Sequence, residues 1–431
     1  MHNYGWDVVF ACSGNYINRQ LAKNTGSQIE SFSYEDESIE VSGDFGAWQL
    51  TPGGSSQLLH LKTPIIKGHC IIKSNKKTYS LDGAVPLLQL QLSFMDGAVA
   101  GSKDLRFNCS VVGQKPNDTT PGAVTVLDPD TTGALAKEDP DRLADALLKT
   151  ALAKALIANQ GKLAFVFASV FMTAPKNAGW LTLKEIVYAY QQDMDKELGS
   201  FAILGMLTTT DISSHSHVYD PSLLRPSDDF GFMLSGQQFM KNLLLPKMPK
   251  AYKGSKASEF RLSGNTIVNH GKVHLKEVEY GAIWYSPYIT HLDIHINESS
   301  IRTIVAGRCA ITGLTGAYVT FSVTSNNAAK FNPSGPFLTF EKDRHKHVTH
   351  SKYIPGWEEW LGVLTLGILN GVAAIVGNGV EDSVSSAVSE TGVSASSMGA
   401  AMVTWPGQET VKFEDGGLLD NFYMRGKASS S

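Results

Sequence analysis

An α+β protein dominated by antiparallel sheet is what this sequence predicts, on three observations. Several short segments alternate apolar and polar residues with a period of two, whereas only a few stretches carry helical spacing. The 431 residues are 42% apolar and 18% charged, enough to bury a large core.

The elements follow in chain order. In MHNYGWDVVFACSGNYINRQL, Trp6, Val9, Phe10, Ser13, Ile17 and Leu21 recur at three- and four-residue steps, while Asp7, Asn15, Asn18, Arg19 and Gln20 fill the other side. This spacing predicts an N-terminal amphipathic helix. Its stripe beds in a groove of the protein's own sheet or, left free, meets a membrane or partner. Residues 38–50 alternate around Ile39 and Val41, break at Gly43 and Gly46 and resume at Trp48 and Leu50, which reads as a bulged or sharply bent strand. Leu88, Leu90, Leu92 and Phe94 alternate with Gln89, Gln91 and Ser93, predicting a strand with one wet face. In residues 162–172, Phe165, Phe167 and Phe171 fall on one face and Ala164, Val166, Ala168 and Val170 on the other, predicting a strand dry on both. Two more alternating strands run through Leu292, Ile294 and Ile296 and through Val319, Phe321 and Val323.

Helices are predicted from Asp139, an N-cap followed by Pro140, to Asn159, and from Ser235 to Leu245, stopped by Pro246. A third is predicted over residues 357–388. Its uncharged core contains Thr365, Asn370 and several glycines, so it reads as a buried helix rather than a span. Residues 113–139 and 211–229 read as long loops, the second dividing the chain near its middle. The expected organisation is one elongated module, 1–431, with structural halves 1–210 and 211–431.

The formal net charge of −4 argues against general nucleic-acid binding. Cys12, Cys70, Cys109 and Cys309 show no CxxC pairing, which predicts reduced, mostly buried thiols rather than a disulfide framework or zinc ribbon. The short apolar run near the N-terminus lacks a basic flank, so it does not read as a secretory signal. The expectation is a protein made in the cytoplasm, with any release by a non-classical route.

A series of segments resembles a known family. They are YGWDVVFA with Ile17 and Leu21 after it; FGAWQLTPGG at 45–54; FMLSGQQFMKNLLLP at 232–246; CAITGLTGAYVTFSV at 309–323; GWEEWLGVLTLGILN at 356–370; VTWPGQ at 403–408; and LLDNFYMRG near the end. Together they are similar to the clostridial forty-seven-kilodalton protein family of OrfX-type botulinum neurotoxin gene clusters. The resemblance covers essentially the whole chain and implies a TULIP-like (tubular lipid-binding) fold, with long helices wrapped by a strongly curved antiparallel sheet. It implies a non-enzymatic accessory protein that binds lipid or associates with membranes. An assembly protein that binds a toxin or sister subunit is the alternative.

Catalytic signatures are missing: there is no GxSxG elbow, Walker loop or GxGxxG after a strand. His291, Asp293 and His295 share a strand face, but the outer two lie roughly 13 Å apart at strand spacing, too far for one ion. His345, His347 and His350 are interleaved with Lys342, Arg344, Lys346 and Lys352, a mixture that suits an anion better than a metal. No metal site, catalytic residue or cofactor is therefore expected.

Two sets of residues remain as site candidates. Trp6, Val9, Phe10, Leu90, Leu92, Phe165, Phe167 and Phe171 would line a tube holding lipid or another hydrophobic ligand. From Phe230 to Ser258 no acidic residue occurs, while Lys241, Lys247, Lys250, Lys253 and Lys256 accumulate. These lysines are candidates for contact with anionic headgroups. Glu30, Glu35, Asp36, Glu37, Glu40 and Asp44 form a contrasting acidic patch that would orient the molecule against a surface or partner.

Overall fold

A computed structural model describes residues 1–137, 143–173, 176–192, 198–280, 282–313, 315–332, 338–353, 402–408 and 411–428. The fold is α+β, mostly antiparallel sheet with few helices, and one sheet curls into a half-barrel. The starting cap of the 139–159 helix and the helix predicted over 357–388 lie outside the described residues.

The N-terminal prediction is corrected. Val8–Ser13 is a strand, and only Gly14–Lys23 is helical, capped by the Ser13 side chain, which accepts from the Tyr16 amide. The strand lies between Ser200–Met206 and Phe230–Leu234, antiparallel to both, in a six-stranded sheet completed by Glu185–Gln191, Asn421–Ala428 and Val411–Leu419. Strands from both sides of residue 210 therefore bond to one another. With a dry layer on each face, all of Val8, Val9, Phe10, Ala11 and Cys12 are buried, and a run of apolar residues in such a strand imitates a helix in sequence.

The reading of 38–50 as one bent strand is also corrected. Ile39–Phe45 pairs within a four-stranded sheet, while Gln49–Ser55 begins in an eight-stranded one. Of the two expected break points, the strand ends beside Gly46 but runs on through Gly43. Gly43 faces Gly68 across the strand pair, and a Cβ on Gly43 would sit 2.6 Å from the Lys67 carbonyl, so no larger residue fits without movement.

Leu143–Ala158 packs against strands of both these sheets and buries Ala144, Leu148, Ala151, Leu152, Ala155 and Leu156. The wet face predicted for Leu87–Asp96 is covered. Gln89 is 1% exposed and accepts from the Asn117 amide, and Gln91 donates to the Thr119 carbonyl, so the connection after residue 112 lies over both. That connection contains another strand, Ala123–Asp128, whose alternating Val124 and Val126 mark it within the predicted loop. In the second half, Tyr288–Asn297, Ser300–Ala310 and Tyr318–Phe331 form the centre of a second eight-stranded sheet, with the predicted alternation buried on one face.

Candidate functional site

The eight residues expected to line a tube do not share a face. Trp6, just before the strand Val8–Ser13, and Val9 within it belong to one apolar layer with Ala202, Leu204, Tyr219 and Met233, while Phe10 belongs to the other. Phe10 packs 5.2 Å from the ring of Phe232. Leu90, Leu92, Phe165 and Phe167 join that second, larger core.

Phe171 departs from them. A bulge between Val166 and Ala168 inserts Phe167 into the Val166–Phe171 strand, which reverses the facing of every later residue. Ala168 and Val170 consequently share the core with Phe167, and Phe171 is half-buried on the other side.

Where a lipid chain would run, rings touch rings. Trp48 meets Phe107 at 5.4 Å, Phe107 meets Phe167 at 4.9 Å, Phe167 meets Phe201 at 5.6 Å, and Phe201 meets Tyr190 at 5.3 Å. An apolar cavity beside Phe10, lined also by Phe230, Phe232, Trp405 and Phe413, has a volume of about 20 Å³. That space holds a water-sized group, whereas a larger cleft lined in part by Val112, Val124, Val126, Leu127, Ala146 and Ala153 measures about 320 Å³, within the roughly 300–1,000 Å³ of sites for organic ligands.

The lysine run forms an exposed surface. Ser235 caps the first turn through its hydroxyl, which accepts from the Gln238 amide. The helical path does not stop at Pro246. It passes through a wide turn, Met240–Leu244, and a tight turn, Leu245–Lys247, into Met248–Ala251, because proline is tolerated in the first turn of a helical segment. Phe239, Met240, Leu243, Leu244, Met248 and Tyr252 are buried beneath it. Lys241, Lys250, Lys253 and Lys256 are exposed and Lys247 is half-buried.

Tertiary structure adds a cation that the run did not include. The Lys276 amide donates to the Lys253 carbonyl at 2.5 Å, placing the segment from His270 to Lys276 beside the run. The alternation of His270, Lys272, His274 and Lys276 was its sequence signal. Glu259 is a carboxylate that follows the run directly. Burial opposes its ionisation, but hydrogen bonds from the His274 ring at 2.6 Å and from the Lys256 and His274 amides outweigh this and hold it below the usual range.

Of the acidic patch, Glu30, Glu35, Glu37 and Asp44 are exposed and Asp36 and Glu40 half-buried. Glu35 pairs with Lys73 at 2.5 Å and Asp36 with Lys154 at 3.4 Å. The His295 ring turns to Asp293 at 2.6 Å, and no group of three potential ligands gathers among the described residues. His347 and His350 lie on the exposed edge strand His347–Tyr353. No described helix is long and apolar enough to cross a membrane.

A family model for OrfX-like proteins, described as Protein OrfX2/OrfX3/P47, matches residues 3–415. The chain belongs to this family. Among its OrfX-like relatives, Protein P47 of Clostridium botulinum (strain Kyoto, type A2) is 27% identical over 383 residues, 86% of this chain and 87% of that protein. Protein OrfX3 of Paraclostridium bifermentans is 22% identical over 329 residues, 69% of this chain and 66% of that one. The structure of P47 from C. botulinum A2 superposes with a TM-score of 0.79 at 24% identity, covering 99% of this chain and 98% of the other. P47 of C. botulinum E1 gives 0.76 at 21% identity, covering 99% and 100%. These likenesses establish a shared OrfX-like fold.

Proposed function

We propose that this chain is a non-enzymatic accessory protein, of the kind encoded in OrfX-type toxin gene clusters, that associates with anionic membranes through its lysine surface. The observation that carries this reading is an acid-free lysine run, exposed over a buried apolar base and extended by Lys276. Near an anionic bilayer each exposed lysine contributes about 1 kcal/mol, so the set acts where one residue would not. The TULIP description and a lipid held inside the tube belong to the same reading. The rings packed from Trp48 through Phe167 to Tyr190 favour contact at the outer surface over a lipid chain running along that path.

Flotation with phosphatidylcholine vesicles, with and without phosphatidylserine or phosphoinositide, tests this. Binding is expected only with the anionic lipids and is expected to weaken with salt, because charges are screened within about 8–10 Å at physiological ionic strength. Replacing Lys247, Lys250, Lys253 and Lys256 together by glutamine is expected to remove most of the preference. Equal binding to neutral vesicles, or an unchanged preference in that variant, overturns the reading.

The ring packing around Phe167 also supports a second reading, an assembly protein that binds a toxin or an OrfX-type subunit. A stoichiometric partner, co-purified from a host carrying the neighbouring genes and free of extractable lipid, would favour it over the first.

A further inference from the structure

The second eight-stranded sheet ends in a row of alternating cations and rings. Tyr288 and Arg308 are cross-strand partners. Lys272 Nζ lies 4.4 Å from the Tyr288 ring centre, the Arg308 guanidinium lies 4.9 Å from that of Tyr318, and Tyr318 stacks on Tyr353 at 5.2 Å.

Beside this row, the hairpin of Val278–Tyr280 and Ile283–Tyr285 leaves Ile283 39% and Trp284 53% exposed. The Thr312 hydroxyl donates to the Trp284 carbonyl at 3.3 Å, tying the hairpin to the connection between the strands that carry Arg308 and Tyr318. Hairpin and row therefore share one end of the sheet. Lys276 lies just before the hairpin and bonds to Lys253, so this end also adjoins the lysine run.

Exposed cations here are Lys253, Lys256, Lys272, Lys276 and Arg308; the carboxylates are Glu259, Glu277 and Glu279. Glu259 is engaged by His274 and Glu277 accepts from Ser286, leaving cations in excess. An exposed indole and a branched aliphatic side chain, at a sheet end that also carries lysine, arginine and tyrosine, match the boundary of a bilayer. Indole and phenol rings settle at headgroup level, and long cationic side chains reach back to phosphate.

We propose that this hairpin is the element that enters the headgroup layer of an anionic bilayer, with Ile283 and Trp284 inserted and Lys253, Lys272, Lys276 and Arg308 contacting lipid phosphates around them. The proposal rests on the membrane reading above and assigns it an insertion point.

The test uses the full chain with Ala282→Cys at the exposed hairpin turn, labelled with an environment-sensitive fluorophore; the four native thiols are buried. Phosphatidylcholine vesicles containing phosphatidylserine are expected to shift its emission to the blue, and pure phosphatidylcholine vesicles are not. The unlabelled double variant Ile283→Ser with Trp284→Ser is expected to keep its melting temperature and lose about tenfold in vesicle partitioning, as removal of apolar surface from the contact predicts. Flotation without an emission change would overturn the insertion while leaving the lysine reading intact. Absence of flotation would overturn both. An emission change with a single-stranded oligonucleotide but not with vesicles would reassign the ring-and-cation row to nucleic acid and overturn the proposal.

Discussion

Oδ1 of Asp7 accepts a hydrogen bond from the Gln238 side-chain amide at 3.0 Å, joining residues 231 apart in sequence. Asp7 Oδ2 accepts from the Leu207 amide at 2.9 Å, and the Asp7 carbonyl accepts from the Ser235 amide at 2.8 Å. One buried residue at the entrance to the first strand thus ties together the ends of both neighbouring strands. Asp7→Ala would leave the Leu207 amide and the Gln238 side chain without these partners, and is expected to lower stability by about 2–4 kcal/mol. Urea denaturation of the variant measures this. A loss within experimental error would show that the network contributes nothing.

Two buried tyrosines are expected to behave oppositely. The Tyr188 hydroxyl accepts from the Leu92 amide at 2.8 Å and donates to the Gln57 carbonyl at 2.7 Å, so Tyr188→Phe is expected to cost about 1–3 kcal/mol. The Tyr252 hydroxyl is buried without a hydrogen-bond partner among the described residues, and burial pushes its pKa up. Tyr252→Phe is expected to leave stability unchanged or raise it by about 1 kcal/mol. Equal losses in the two variants would contradict the assignment.

The thiols are expected to stay silent in the folded protein. Burial, followed by the nearby Asp229 carboxylate, pushes Cys12 up, and burial alone raises Cys109 to about 12 and Cys309 to about 11. Because the thiolate is the reactive form, a disulfide exchange reagent at pH 8 should titrate these cysteines only after denaturant is added. Rapid reaction of any of them in the native state would contradict the burial.

Acid should weaken the turn between Ser31–Glu35 and Ile39–Phe45, which Asp36 organises. Hydrogen bonds from the Ser38 amide, chiefly, and from the Ile39 amide, Tyr34 and Lys154 lower Asp36 to about 2, against the opposing effect of burial. A carboxylate with a depressed folded-state pKa contributes stability that is present above its unfolded value, near 3.9, and lost as pH falls through the folded one. The stability difference between the wild type and Asp36→Asn is therefore expected to shrink between about pH 4 and pH 2. Paired thermal melts across that range read it directly, and a difference independent of pH would rule Asp36 out.

The short alternating strands of the second half, the buried cysteines and the lysine run were all legible in the sequence. Each depends on local periodicity or composition, which a strand or an exposed segment expresses whatever packs against it. The helical body at Leu143–Ala158 was legible for the same reason. Other features depended on distant neighbours. Val8–Ser13 is a strand because Ser200–Met206 and Phe230–Leu234 flank it and both its faces are dry. Phe171 turned away from Phe167 because pairing with Ser102–Asn108 places a bulge between Val166 and Ala168. Gln89 and Gln91 lost their solvent because a later connection covers them. Lys276 reached Lys253, and the cation-and-ring row formed beside Trp284, only when sheet register brought separate strands to one end. Periodicity specifies which residues alternate along a segment. Which face is wet, and which distant side chains meet there, follows from long-range hydrogen bonding and close packing that no local pattern encodes.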